Sequence, residues 1–221
     1  MIPLRDSIPS RSIPIVTYFL IAVNIAVFIM QMSFDSAAEL ERFIFNHAII
    51  PVVFLQDPYL HFSTLISSQF MHGGLMHILG NMWFLYLFGD NVEDNIGHWK
   101  FLAFYILAGI AAALAQVYIH PNSQIPMVGA SGAIAGVLGA YFIFYPHSRV
   151  MTLVPLGFYS RVIEIPAFFF LGLWFLMQTF SGTSALYVAR ASGQDAGGVA
   201  WWAHAGGFVF GFAIGIIKRI L

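Results

Sequence analysis

The chain is 221 residues long, 59% hydrophobic and 9% charged, with a formal net charge of -1 and a mean hydropathy of +0.81. Soluble domains carry about 25% charged residues, and a large core does not account for such a shortfall. There is no basic surplus to suggest a nucleic-acid partner, and the absence of cysteine excludes disulfides and thiolate metal sites.

The apolar residues fall in runs of membrane-spanning length. Residues 1–14 carry Arg5, Arg11, Pro3 and Pro9 and read as a cytoplasmic N-terminal segment, not a cleavable signal peptide. Residues 15–221 then read as one membrane domain with six spans. These are Ile15 to Met32, Leu75 to Phe88, Phe101 to Ile119, Ala130 to Tyr145, Ile163 to Phe180 and Ala200 to Ile220. Phe43 to Leu55 is apolar, too short to span and interrupted by Pro51, and reads as an interfacial piece of a long first loop. The second and fourth spans are short for a bilayer needing ~20 helical residues, so their ends are expected in protein or a water-filled cavity.

Arg5, Arg11, Lys100, Arg149, Arg161, Lys218 and Arg219 lie on one side of this arrangement, and only Arg42 and Arg190 on the other. The positive-inside rule then places both termini in the cytoplasm. The expected class is an all-α, polytopic membrane protein with six transmembrane helices, integral to a bilayer and most simply the bacterial inner (cell) membrane.

In that topology spans two, four and six run from outside to inside, so residues near their starts share one depth. His77 and Asn81 open span two, Ser131 opens span four and His204 lies near the start of span six. Ser131 stands in Gly129-Ala130-Ser131-Gly132-Ala133-Ile134-Ala135-Gly136. Small residues there suit close helix packing, with Gly132 and Gly136 as a small-xxx-small pair. The start of a helix also aims unpaired N–H groups and a positive dipole end at its surroundings, which suits an oxyanion. Positions 204, 207, 211 and 215 recur at near-helical spacing, the last three all glycine, so His204 tops a smooth groove containing Gly207 and Gly211. Two such surfaces can approach closely enough to join His204 to Ser131. An ionisable residue inside a membrane is costly and reads as functional by default.

His77 and Asn81, at i and i+4, share one helix face. They serve either as polar glue between helices or as donors to a substrate carbonyl oxygen. His72 lies roughly 140° around the helix from His77, so the two are not a metal pair. No cofactor or metal is expected. No acid completes a triad: Asp90, Glu93 and Asp94 are about 20 Å of helix from His77, and Asp195 lies in the last outer loop. The expected chemistry is a dyad. Ser131 attacks a peptide carbonyl and His204 takes its proton, with the Ser131 backbone N–H, His77 and Asn81 holding the oxyanion.

His72-x-x-x-x-His77-x-x-x-Asn81, Gly129-x-Ser131-Gly132 and Ala203-His204-x-x-Gly207-x-x-x-Gly211, in the second, fourth and sixth spans, resemble the rhomboid family of bacterial-type intramembrane serine proteases. The resemblance covers about Ile15 to the end. It implies a Ser131–His204 dyad, an oxyanion hole involving His77 and Asn81, close packing at Gly207 and a water-filled site opening to the outer side. It also implies single transmembrane helices as substrates, with helix-breaking or small residues near the cut. Two features depart from the family pattern. Ala135 stands where some members stack an aromatic residue on the histidine, and the first loop lacks tryptophan and hence the Trp-Arg pair. Two other functions share these residues: a transporter or channel, and a non-cleaving rhomboid-like binder of membrane proteins. Zinc and aspartyl intramembrane proteases lack their motifs here. The sequence does not say which span moves to admit substrate; span five, with Pro166 at its start and few small residues, is one candidate gate.

Overall fold

A computed structural model describes residues 1–155, 157, 159–192 and 199–220. In chain order it contains β1 (Ile2–Asp6), α1 (Ile15–Met32), α2 (Ala37–His47), α3 (Pro51–Gln56), α4 (Thr64–Ser67) with a 3-10 turn (Ser68–Phe70), α5 (Leu75–Ile96) and α6 (His98–Ile119). There follow α7 (Ser131–Phe144), β2 (Arg149–Pro155), β3 (Ser160–Pro166), α8 (Ala167–Ser192) and α9 (Trp201–Ile220). Each of the six apolar runs overlaps a helix. Among the described residues four are long and apolar enough to cross a membrane, namely Ile15–Met32, His98–Ile119, Ala167–Ala189 and Trp201–Ile220. The 14-residue α7 is shorter, and α5 is diluted by Asn81, Asp90, Asn91, Glu93 and Asp94.

Three boundaries differ from those expected. Helices α5 and α6 are separated by Gly97 alone, whose φ of 85° lies in the left-handed region that favours glycine. The apolar stretch Phe43 to Leu55 breaks at residues 48–50, just before Pro51, which occupies the first turn of α3, where its missing N–H has no helical partner to lose. The apolar stretch Ile163 to Pro166 is not helix but the end of a strand, and the helix starts at Ala167.

That strand belongs to a three-stranded antiparallel sheet in the order β1-β2-β3, so the chain is not purely α-helical. Leu153 pairs with both Ile2 and Val162, and β1 carries a bulge between Pro3 and Arg5. Strand β2 buries Val150 and Thr152 in alternation, as a half-covered strand should. The N-terminal segment is docked. Ser10 and Ser12 donate to Asp90 and Asp94 at the end of α5, and the Tyr141 hydroxyl on α7 donates to Asp6 at 2.6 Å.

Helix α1 begins after Pro14, which offers no side-chain cap. Glu93 of α5 supplies one. Its buried carboxylate accepts from Val16 N at 2.9 Å, Thr17 N at 2.8 Å and Thr17 Oγ1 at 2.7 Å. A negative group on orphan N–H donors at a helix start is favourable in charge and hydrogen bonding alike. Ser36 caps α2 through Glu39 N. Ile49 bridges to Met127, tying the first loop to the segment before α7, while Ile49, Phe54 and Leu65 pack on Ala113 and Val117 of α6.

Helix α7 lies at the centre, with every residue from Gly132 to Tyr141 buried. Its contact with α9 is backbone on backbone. A methyl placed on Gly207 would overlap the Gly132 carbonyl, and one on Gly211 the Gly136 carbonyl. The bare Cα atoms of Gly132 and Gly136 face elsewhere, against Ala112 and Ala108 of α6. Small residues therefore serve two interfaces of α7.

Two outcomes test this packing. Gly211→Leu should lower stability by about 1–3 kcal/mol or more through overpacking, read as a lower Tm in detergent; an unchanged Tm contradicts the close approach. Burial, and to a lesser degree the nearby Asp90 charge, push the Asp6 carboxyl up to about 6 against the Tyr141 hydrogen bond, from an ordinary 3.8. Between those values the folded chain holds a proton that the unfolded chain has released, so this contribution is fully present below 3.8 and lost as pH rises through about 6. Asp6→Asn should therefore raise Tm relative to the native chain more at pH 8 than at pH 4. A pH-independent difference rules this out.

Candidate active site

Helix α7 starts where Gly129, at a φ of 130°, turns the chain so that Ala130 and Ser131 enter the helix. Gly129 N–H donates to Ser68 O at 2.9 Å, which holds the turn. Ser131 occupies the first helical position, among backbone N–H groups with no intrahelical acceptor.

His204 comes from the first turn of α9, and another helix anchors that turn. Gln116 Oε1 on α6 accepts from both Trp202 N and Ala203 N at 3.1 Å. The amide thus caps α9 from outside, as Glu93 caps α1. With α9 pressed on α7, His204 Nε2 lies 2.8 Å from Ser131 Oγ. The other ring nitrogen, Nδ1, lies 2.6 Å from Gln178 Oε1 on α8.

Ala135 leaves no aromatic at that position, and packing explains it: Ala135 Cβ would lie 3.3 Å from a methyl on Gly207. Aromatic neighbours come from other positions. The Trp174 ring of α8 is centred 6.0 Å from His204, and Trp201 stands edge-on at 6.3 Å.

His77 and Asn81 share a cavity of about 640 Å³ with Ser131, His204, Met76 and Trp202. A methyl on Gly129 would sit 2.8 Å from His77 Nε2 and 3.6 Å from Ser131 Oγ, so the ring edge and the hydroxyl flank the same space. Gly73 N–H donates to His77 Nδ1 at 3.4 Å, a contact that leaves Nε2 as the protonated nitrogen facing Gly129. Asn81 Nδ2 donates to His72 Nε2 at 2.9 Å. Burial, with a smaller effect of His77, pushes His72 down to about 4, so its ring is neutral and accepts that bond. Gln31 of α1 holds the same segment by exchanging hydrogen bonds with His72 N and O at 2.9 and 3.2 Å.

The acids stand elsewhere. Asp90, Glu93 and Asp94 are engaged with Ser10, the start of α1 and residues 11–12. Asp195 lies outside the described residues. Among the remaining histidines, His120 lines the cavity, while His98 Nδ1 lies 2.5 Å from Glu93. Sequence reasoning passed over Gln116 and Gln178. Both are amides within largely apolar helices, and the rule that singled out the histidines, that polar groups inside a membrane need partners, would have marked them too.

A family model described as Rhomboid domain matches residues 60–220. The chain is 29% identical over 143 residues to "Rhomboid protein 1, mitochondrial" of Saccharomyces cerevisiae, covering 62% of this chain and 38% of that protein. It is 30% identical over 157 residues to "Presenilin-associated rhomboid-like protein, mitochondrial" of Bos taurus, covering 67% and 36%. With "RHOMBOID-like protein 12, mitochondrial" of Arabidopsis thaliana it is 25% identical over 202 residues, covering 82% and 56%. The chain thus spans from about a third to somewhat over half the length of these curated relatives. The domain match takes in every helix from α4 to α9, with Ser131, His204, His77 and Asn81, and the chain belongs to the rhomboid family, whose members include intramembrane serine proteases.

Proposed function

We propose that the chain is an intramembrane serine endopeptidase that cleaves transmembrane-helix substrates near the outer face of the membrane by a Ser131–His204 dyad. The observation that carries this is the 2.8 Å contact between Ser131 Oγ and His204 Nε2 at the wall of a cavity also lined by His77 and Asn81. Such a pair, nucleophile and base within hydrogen-bond reach, is the signature of nucleophilic catalysis.

The hydroxyl proton passes to His204 Nε2 as Ser131 Oγ bonds to the substrate carbonyl carbon. The carbonyl oxygen takes up the negative charge, and the Ser131 backbone N–H, His77 Nε2–H and the second N–H of Asn81 Nδ2 converge on it. Collapse breaks the C–N bond, and the leaving amine takes the proton from Nε2. Water then attacks the acyl ester and gives a proton to His204 Nε2; as the ester C–O bond breaks, that proton passes to Ser131 Oγ and the carboxylic acid is released.

The membrane frame belongs to the same proposal. Six spans, with α5 and α7 completing the four long apolar helices, place both termini and the small sheet on the cytoplasmic side, where seven of nine Lys and Arg fall. The cavity then opens at the outer level. The mitochondrial names are those of the relatives; for this chain the charge pattern sets the orientation alone, with the basic side inside, and a bacterial inner membrane is the simplest setting for it.

In a bilayer or detergent, the native chain should react with a fluorophosphonate and cut a model transmembrane substrate. Ser131→Ala and His204→Ala should lower cleavage at least about 10⁴-fold. A folded native chain that stays unlabelled and uncut sinks the reading and leaves a non-cleaving binder; transport that survives Ser131→Ala would point to a transporter. His77→Ala and Asn81→Ala should each lower kcat about 10²–10³-fold with labelling at Ser131 retained. An unchanged kcat removes that residue from the oxyanion site.

A further inference from the structure

The Ser131–His204 pair lacks an acid among the described residues, and a neutral histidine then has no charge to choose which nitrogen holds its proton. That choice decides the chemistry, because only a bare Nε2 can receive the Ser131 proton. We infer that Gln178 is the positioning residue for His204, an uncharged group in the place a triad's acid would hold, which sets the ring's tautomer and orientation from α8. The inference rests on the dyad proposed above.

Two observations carry it. Gln178 is buried at 8% exposure, and its Oε1 lies 2.6 Å from His204 Nδ1. A carbonyl oxygen only accepts, so Nδ1 bears the proton and Nε2 presents its lone pair to Ser131 Oγ at 2.8 Å. The opposite amide orientation would put the proton on Nε2 and leave the serine proton without an acceptor. Trp174, one helical turn before Gln178, flanks the same ring at 6.0 Å, so α8 fixes both the plane and the edge of the imidazole. One turn further, Gly182 seats Trp201 and Trp202, its bare Cα lying where a methyl would meet Trp202 Nε1 at 3.0 Å. Residues 174, 178 and 182 thus form one stripe that docks α8 against the start of α9.

Nitrogen-15 NMR of histidine-labelled protein in micelles tests this, with His204 signals identified by their loss in His204→Ala. The native ring should show a protonated Nδ1 and a bare Nε2. Gln178→Leu should shift protonation toward Nε2 and lower kcat about 10²-fold with KM within about twofold, less than the ~10⁴ seen where a partner enforces the wrong tautomer. Gln178→Glu, which again offers an acceptor, should restore both the Nδ1–H signal and most of kcat. Gln178→Leu that keeps Nδ1 protonated, or a native ring protonated on Nε2, overturns the inference whatever the activity. The NMR result is independent of turnover. A native chain that cleaves nothing yet shows the expected tautomers would sink the protease reading and support the positioning role; Ser131-dependent cleavage with tautomers indifferent to Gln178 would do the reverse.

Discussion

The close approach of α9 to α7 is the constraint on which the rest of the structure depends. Gly207 and Gly211 rest against the carbonyls of Gly132 and Gly136, and no side chain separates the two backbones. In a bilayer the hydrophobic effect gives helices little reason to prefer one another over lipid. Association rests on dispersion contacts and on polar groups that find partners. Bare glycine surfaces gain the first. The 2.8 Å contact between His204 and Ser131, one turn above Gly207, is an example of the second. Position and packing are the same feature here, since a bulkier residue in the groove would lift the histidine away from the serine.

A second pattern runs through the molecule. Polar needs of one helix are met by a side chain from another: Glu93 for the start of α1, Gln116 for the start of α9, Gln31 for the segment around His72. Helix starts expose N–H groups that water would ordinarily satisfy, and away from water each is costly. Using residues distant in sequence makes each helix end depend on the presence of a neighbour. The arrangement is cooperative for that reason, because no helix in these pairs is fully satisfied alone.

Much of this was legible before the structure. Apolar run length marked the helical segments, and the spacing of 204, 207, 211 and 215 anticipated a smooth face on α9. The strands were harder to read. Val162, Ile163 and Ile165 lead into the apolar start of α8 with only Glu164 between them, so a strand pairing through backbone to residues 149–155 looked like the first turn of a span. Residues 150–153, Val-Met-Thr-Leu, show no polar–apolar alternation, because the second residue that β2 buries is the polar Thr152. The roles of the residues that support His204 were harder to read for a different reason. Gln116 and Gln178 are single amides without a motif, and what they touch is set by three-dimensional packing. Ala135 pointed to a histidine without aromatic neighbours, yet Trp174 and Trp201 reach it from positions no local spacing would suggest.

The small sheet carries a consequence for how the chain is made. Ile2 pairs with Leu153, so the first strand emerges from the ribosome long before its partner exists. Loop closure over that distance is entropically expensive, and contacts of such sequence separation form late. In the proposed topology β1 waits, unpaired, while the spans α1, α5, α6 and α7 are inserted into the bilayer. When β2 appears, the pairing fastens β1 to the hairpin between α7 and α8. In the proposed topology both ends of that fastening lie on the side where translation occurs, so it can close without carrying a polar strand across lipid.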